Sequence, residues 1–185
     1  ALFTQGDIDR KLITAEVCVH HLSFARADYL DKGSLIKCNP SIKEESDRQA
    51  LIRAVSEDII DIIATDHAPH SREKKEVEFG LAANGIAGIE TSLSVALAAH
   101  AAGELPLSLL VAALTTGPAA VLGRPELARG LTVGGAANLV VVDRAASWTV
   151  SRATLVGRSA NTALLGRKLQ GTVLLTLING EVAWQ

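Results

Sequence analysis

The hydrophobic positions of this 185-residue chain change their period along its length. The run "IIDIIA", residues 59–64, crowds Ile59, Ile60, Ile62 and Ile63 into five positions and predicts a strand buried on both faces, as in a parallel sheet. Residues 12–18, "LITAEVC", alternate and are rich in β-formers, which predicts another strand. Both runs lead into polar residues that carry chemistry: His20 and His21 after the first strand, Asp66, His67 and His70 after the second. Between them, "SLIKCNP" predicts a short extended piece ended by Pro40. "SIKEESDRQALIRAVSED" then has acids early and Leu51, Ile52 and Val55 at helical spacing, which predicts an amphipathic helix. Strand, helix, strand with chemistry at the strand ends is the logic of a barrel or a doubly wound sheet.

From Gly85 the pattern turns helical, with two alanine- and leucine-rich helices separated by "GELP" and a break at Gly117 and Pro118. It changes again from Gly130, where short β-runs are separated by glycine turns. "INGEV" places an Asn-Gly turn between two such runs, a strong hairpin signal. These shifts predict an α/β region over 1–128 and a small β-module over 129–185.

Composition narrows the function classes. With 48% hydrophobic and 21% charged residues the chain is expected to be globular. A net charge of −2, without a cluster of lysine and arginine, predicts neither a nucleic-acid partner nor an anionic membrane surface. The longest apolar segment is broken by His100 and too short to span a bilayer, and the first residues do not form a signal peptide. Cys18 and Cys38 lack a C-x-x-C spacing and read as reduced thiols, which points to the cytoplasm. The chain has no methionine and opens in what reads as a helix running into a strand, so it is expected to be processed or part of a longer protein.

Asp66 is the strongest candidate for chemistry, because a carboxylate at a strand end can ligate a metal and move a proton; capping the next helix is its alternative use. His67 and His70 share its loop. His20 and His21, adjacent on an extended segment, should point to opposite sides, so that at most one faces a common site. His100, inside an alanine-rich helix, reads as structural or solvent-facing.

Several spaced motifs, "TAEVCVHHL", "IKCNPSIKEESDRQAL", "IDIIATDHAPHSREKK", "GIAGIETSL", "GPAAVLG", "ANLVVVD" and "LQGTVLLTLINGEV", together resemble the C-terminal half of the dihydroorotases of the amidohydrolase superfamily. The resemblance runs from about residue 12 to residue 184. "VHHL" with "IKCNP" favours dihydroorotases over the related allantoinases and hydantoinases. It implies the C-terminal part of a TIM-type (β/α)8 barrel followed by a small β-module that is part of a β-sandwich. It also implies a binuclear zinc hydrolase that interconverts dihydroorotate and N-carbamoyl-aspartate in pyrimidine biosynthesis, working as a homodimer. Asp66 would ligate the more buried metal and act as general base toward the activated water. His70 would bind the substrate carboxylate, Asn39 would hydrogen-bond the ring, and the backbone around Ala87 and Gly88 would line the pocket.

Departures from the pattern are Val19, Ala87, Gly117 and Asn138, where the family usually has proline, proline, asparagine and aspartate. The family's H-x-H pair, bridging carboxylate or carboxylated lysine, and two further histidine ligands have no counterpart here. Residues 1–128 could supply only the last strands of a barrel that needs roughly 250 residues, so the chain is expected to need the missing N-terminal half and to be inactive without it. A catalytically dead scaffold subunit is the expectation's rival from another class.

Overall fold

A computed structural model describes residues 13–159 and 161–185. Strand β1, Glu16–Cys18, pairs in parallel with β2, Ile62–Ala64, in the register Glu16↔Ile62, Val17↔Ile63 and Cys18↔Ala64. The pair is clamped at its entry, where the Ala15 N–H donates to Asp61 Oδ2 at 2.9 Å and the Ala15 carbonyl accepts from the N–H of Asp61 at 3.0 Å. Ile62 and Ile63 are buried, as expected of a strand covered on both faces. Position 12 of the first predicted strand lies outside the described residues.

Several expectations need correction: of the first predicted strand only Glu16–Cys18 is a strand, and the helix break expected at Gly117 and Pro118 falls at Thr115, with both residues inside the helix that follows. The strand drawn from the isoleucine run is shorter, because the N–H groups of Ile59 and Ile60 both donate to the Ala54 carbonyl and finish the preceding helix. His20 and His21 are not extended: Val19–Leu22 is a 3-10 turn whose His20 carbonyl accepts from Ser23 and Phe24. Opposite-facing side chains, expected of an extended pair, are replaced by two imidazoles whose ring centres lie 4.5 Å apart. "SLIKCNP" likewise begins as a 3-10 turn, Gly33–Ile36, and only its end, through Asn39, is unwound.

Helix α1, Tyr29–Lys32, is a single turn, and α2, Glu45–Ser56, is the predicted amphipathic helix, with Ile52 and Val55 buried. Its start is capped by the Asp47 carboxylate, which accepts from the Glu44 N–H at 3.1 Å, placing acids where the helix dipole favours them. After β2 come a short α3, Arg72–Lys75, then α4, Ser92–Ala101, α5, Leu107–Leu114, and α6, Thr116–Val121. Gly117 sits inside the first turn of α6, where an added Cβ would stand 2.2 Å from the Asp61 carbonyl oxygen; only glycine lets this helix approach the start of β2.

The remaining strands are β3, Leu139–Thr149, β4, Lys168–Ile178, and β5, Glu181–Trp184, in an antiparallel sheet of order β3-β4-β5. The Asn-Gly signal is met: Asn179 and Gly180 both have positive φ, 52° and 86°, as a two-residue hairpin turn requires. This sheet packs on α4 through β4, with Ser94 Oγ donating to the Gly171 carbonyl at 2.8 Å and Trp148 Nε1 donating to Ser94 Oγ at 3.0 Å. Val17, Ile52, Leu110, Val150, Leu164 and Leu169 belong to one buried cluster, so a single core runs beneath both sets of strands.

Candidate active site

The C-terminal end of β2 delivers Thr65 and Asp66 to a surface built from three loops. Asp66 is exposed and has φ +43°, a left-handed conformation that aspartate tolerates but that needs its surroundings to hold it. His67 is fixed by its ring: Nδ1 accepts the N–H groups of Gly88 at 3.2 Å and Ile89 at 3.1 Å, so the ring proton is on Nε2. Ala68 N–H donates to the Ile86 carbonyl at 3.1 Å, completing a bridge between residues 67 and 86. His70 Nε2 donates to the Asn84 carbonyl at 2.8 Å. Gly85 makes this proximity possible, since a Cβ there would meet Ala68 Cβ and carbonyl oxygen at 2.7 Å and His70 Nε2 at 3.0 Å.

Two lysines tie the third loop, residues 37–40, to the others. Lys37 Nζ donates to the carbonyls of Phe79 at 2.7 Å, Gly80 at 3.1 Å and Ala82 at 2.6 Å. Lys75, only 2% exposed, donates to the carbonyls of Lys37 at 3.2 Å, Ala83 at 3.0 Å and Gly85 at 2.8 Å. Burial lowers the Lys75 pKa from the ordinary lysine value. The three carbonyl dipoles replace the water that a buried ammonium loses. Glu90 performs a similar task on the far side, its two carboxylate oxygens accepting the N–H groups of Val156 at 2.7 Å and Gly157 at 3.0 Å. None of these three stands out in the sequence as a site residue. Their signals, a lysine inside the otherwise apolar "LIKC" and the "EKK" and "GIE" that follow the aspartate loop, do not distinguish a buried charge from a solvated one.

The structure brings His67, His70, Gly85, Ala87 and Gly88 together and joins them, through Lys75, to the backbone that carries Asn39. Asn39 is exposed, Ala87 half-buried and Gly88 buried. Gly88 spends its own backbone internally: its N–H goes to His67 Nδ1 and its carbonyl accepts from Thr91 N and Oγ1, both at 3.2 Å. An open cleft of about 1170 Å³ lies alongside, lined by His67, His70, Glu90, Arg152, Arg158 and Trp184 among others. Asp66 and Asn39 do not line it.

The first strand contributes Cys18, His20 and His21. Burial, with smaller contributions from Asp66 and Glu16, pushes the Cys18 thiol up to about 11. Burial, with a smaller push from Asp66, raises Cys38 to about 11 as well. Both thiols are therefore protonated at neutral pH, and both sense the Asp66 charge. His20 is held down to about 4 by burial and by its neighbour His21, so its ring is neutral. His21 Nε2 lies 2.9 Å from the Pro40 carbonyl, which also accepts from Cys38 Sγ at 3.1 Å.

Comparison with known proteins places this geometry. Residues 7–183 match the amidohydrolase family along nearly their whole length. The chain belongs to the amidohydrolase family. Among curated relatives, a dihydroorotase of Anaeromyxobacter dehalogenans (strain 2CP-1) is 43% identical over 172 residues, 92% of this chain and 39% of the relative. One of Mycobacterium tuberculosis is 42% identical over 171 residues, 92% of this chain and 40% of the relative. The chain thus spans about two fifths of the length of these amidohydrolases. Among solved structures, an L-hydantoinase from Arthrobacter aurescens superposes with a TM-score of 0.85 at 26% identity, covering 91% of this chain and 38% of that one. A D-hydantoinase from a Thermus species superposes at 0.81 with 24% identity, covering 92% and 39%. The mixed α/β arrangement is therefore that of the hydantoinases.

Amidohydrolases are generally metal-dependent. Asp66 fits such a centre as one oxygen donor, exposed at a strand end and free of any hydrogen bond that would occupy its carboxylate among the described residues. It does not make a centre alone: the described residues hold one group of three metal-ligating side chains, and Asp66 is not in it. No helix among the described residues is long and apolar enough to cross a membrane.

Proposed function

We propose that this chain is the C-terminal portion of a dihydroorotase, a cyclic amidohydrolase that reversibly hydrolyses dihydroorotate to N-carbamoyl-aspartate in pyrimidine biosynthesis. The observation that carries this reading is kinship: identity reaches 42–43% with dihydroorotases over 92% of the chain, against 26% with a hydantoinase of the same fold. In this reading residues 1–128 complete a (β/α)8 barrel begun by an N-terminal half, and residues 129–185 join a β-sandwich. The assembled enzyme is a cytoplasmic homodimer.

Asp66 takes the proton of the attacking water and returns it to the ring nitrogen as the amide bond breaks. A zinc pair, held by Asp66 together with ligands from the N-terminal half, would supply the Lewis acid that polarises the ring carbonyl. Asn39, which has no side-chain partner among the described residues, donates to the substrate ring. His70 receives the substrate carboxylate. Its Nε2 proton is already given to Asn84, so only the doubly protonated ring can offer Nδ1–H to that carboxylate. Ala87 and Gly88 shape the pocket wall, Gly88 by steering His67 rather than by touching substrate.

The test is a substrate panel on the purified enzyme, after denaturing mass spectrometry has established whether a second polypeptide with an H-x-H segment accompanies the 19.4 kDa chain. Turnover of dihydroorotate, abolished by Asp66→Ala, is the expected result. Hydrolysis of allantoin or a hydantoin with dihydroorotate left intact would replace the reading with the neighbouring cyclic amidohydrolases. A lone chain without turnover would leave a non-catalytic scaffold.

A further inference from the structure

Lys37 and Lys75 stand side by side behind the loops at the end of β2, since the carbonyls of the consecutive residues Ala82 and Ala83 accept from their two ammonium groups, at 2.6 and 3.0 Å. All their other hydrogen bonds also go to backbone carbonyls, and among the described residues neither lysine is paired with a carboxylate. Lys37 Nζ lies over the Phe79 ring as well, 5.3 Å from its centre, again a partner without charge. Lys75 is only 2% exposed. A lysine so buried normally has an anionic partner, because carbonyl dipoles solvate an ammonium without cancelling its charge. The pair therefore leaves positive charge uncompensated where little water reaches Lys75 to screen it.

That charge lies directly behind the wall given above to the substrate. Gly85 alone separates Lys75 from His70: its carbonyl accepts from Lys75 Nζ at 2.8 Å, and a Cβ on it would stand 3.0 Å from His70 Nε2. Two residues before Asn39, the Lys37 carbonyl accepts from both Lys75 Nζ, at 3.2 Å, and the Gly85 N–H, at 2.9 Å. We infer that Lys37 and Lys75 are specificity-determining residues, whose unpaired charge selects a ligand that brings its own carboxylate to this wall. Neither lysine touches the ligand. They act on its charge from behind the backbone, so a neutral ring of the same shape gains nothing from them. The inference rests on the placement of the substrate carboxylate at His70 in the function proposed above, and it is independent of which cyclic amide is hydrolysed.

Two probes test it by titration calorimetry on the purified protein, with any accompanying chain retained: orotate, a ring that carries the carboxylate, and orotamide, its neutral carboxamide of equal size. The unaltered protein should hold orotate about tenfold more tightly than orotamide, or better. Lys37→Gln and Lys75→Gln keep a hydrogen-bond donor and remove the charge. Each should cut that preference about threefold or more while leaving orotamide affinity within about a factor of two, and Lys37→Arg should retain the preference. Lys37 is half-buried, so its variants carry the test if Lys75→Gln folds poorly. Equal weakening of both probes would reveal a purely structural role and overturn the inference. So would a preference that survives loss of the charge, or none in the unaltered protein, as when a carboxylate from another chain neutralises the pair. Turnover judges the proposed function separately. Hydrolysis of dihydroorotate without a lysine-dependent preference sinks the inference alone, whereas hydrolysis of a hydantoin in its place, with the preference present, sinks the dihydroorotase reading alone.

Discussion

The loops at the end of β2 and the sheet of β3, β4 and β5 solve opposite problems. The loops have almost no regular structure, yet their backbone groups are consumed by Lys37, Lys75 and Glu90, which act as substitutes for strands. The sheet has long strands and a well-formed hairpin, yet Val140, Val141, Leu174, Ile178, Val182 and Trp184 remain between 45 and 59% exposed. Regularity and completeness are thus separate properties. The irregular region is closed upon itself, and the regular one presents apolar surface to whatever lies beside it.

The sharpest way to break this contrast is Lys75→Met, which leaves three carbonyls facing a buried thioether. Loss of about 3 kcal/mol in urea denaturation is expected, and a loss below 1 would show that the loops do not depend on this cation. Almost as large is the effect of protonating His20. Its folded pKa, about 4, lies below the ordinary value of 6.5, so the folded state binds fewer protons than the unfolded state between these limits. Stability should therefore be full above pH 6.5 and fall by about 3 kcal/mol as pH drops through 4. In His20→Gln this slope should shrink, and an unchanged slope would locate the titration elsewhere. Glu90→Gln keeps the shape but removes the charge from the bonds to Val156 and Gly157; about 1 kcal/mol is expected, with faster proteolysis of residues 152–158. On the sheet, Val140→Thr with Val182→Thr should alter stability by less than about 0.5 kcal/mol while lowering self-association in sedimentation. A large destabilisation there would mean that the sheet is closed after all.

What could be read from the sequence follows the same division. The Asn179–Gly180 hairpin and α2 announce themselves through local chemistry, a turn needing two positive φ values and an acidic helix start. The isoleucine run misled over its first half because backbone donors, not side chains, decide where a helix ends, and Ala54 claims those of Ile59 and Ile60. His20 and His21 misled because alternation holds only for extended backbone. Asp66 and His70 stood out through residue type at a strand end. Lys75 did not, because burial of a charge is a property of three converging loops and leaves no periodic mark.

The hydrogen bond from Ser94 to Gly171 spans 77 positions, and the strand that carries Gly171 is synthesised well after α4. The buried face of α4 must therefore wait, uncovered, through the emergence of α5, α6 and β3. Closure over so long a loop is slow relative to helix formation. During that interval the nascent chain is most open to aggregation, and the timing of β4, rather than the strength of any single contact, sets how long it lasts.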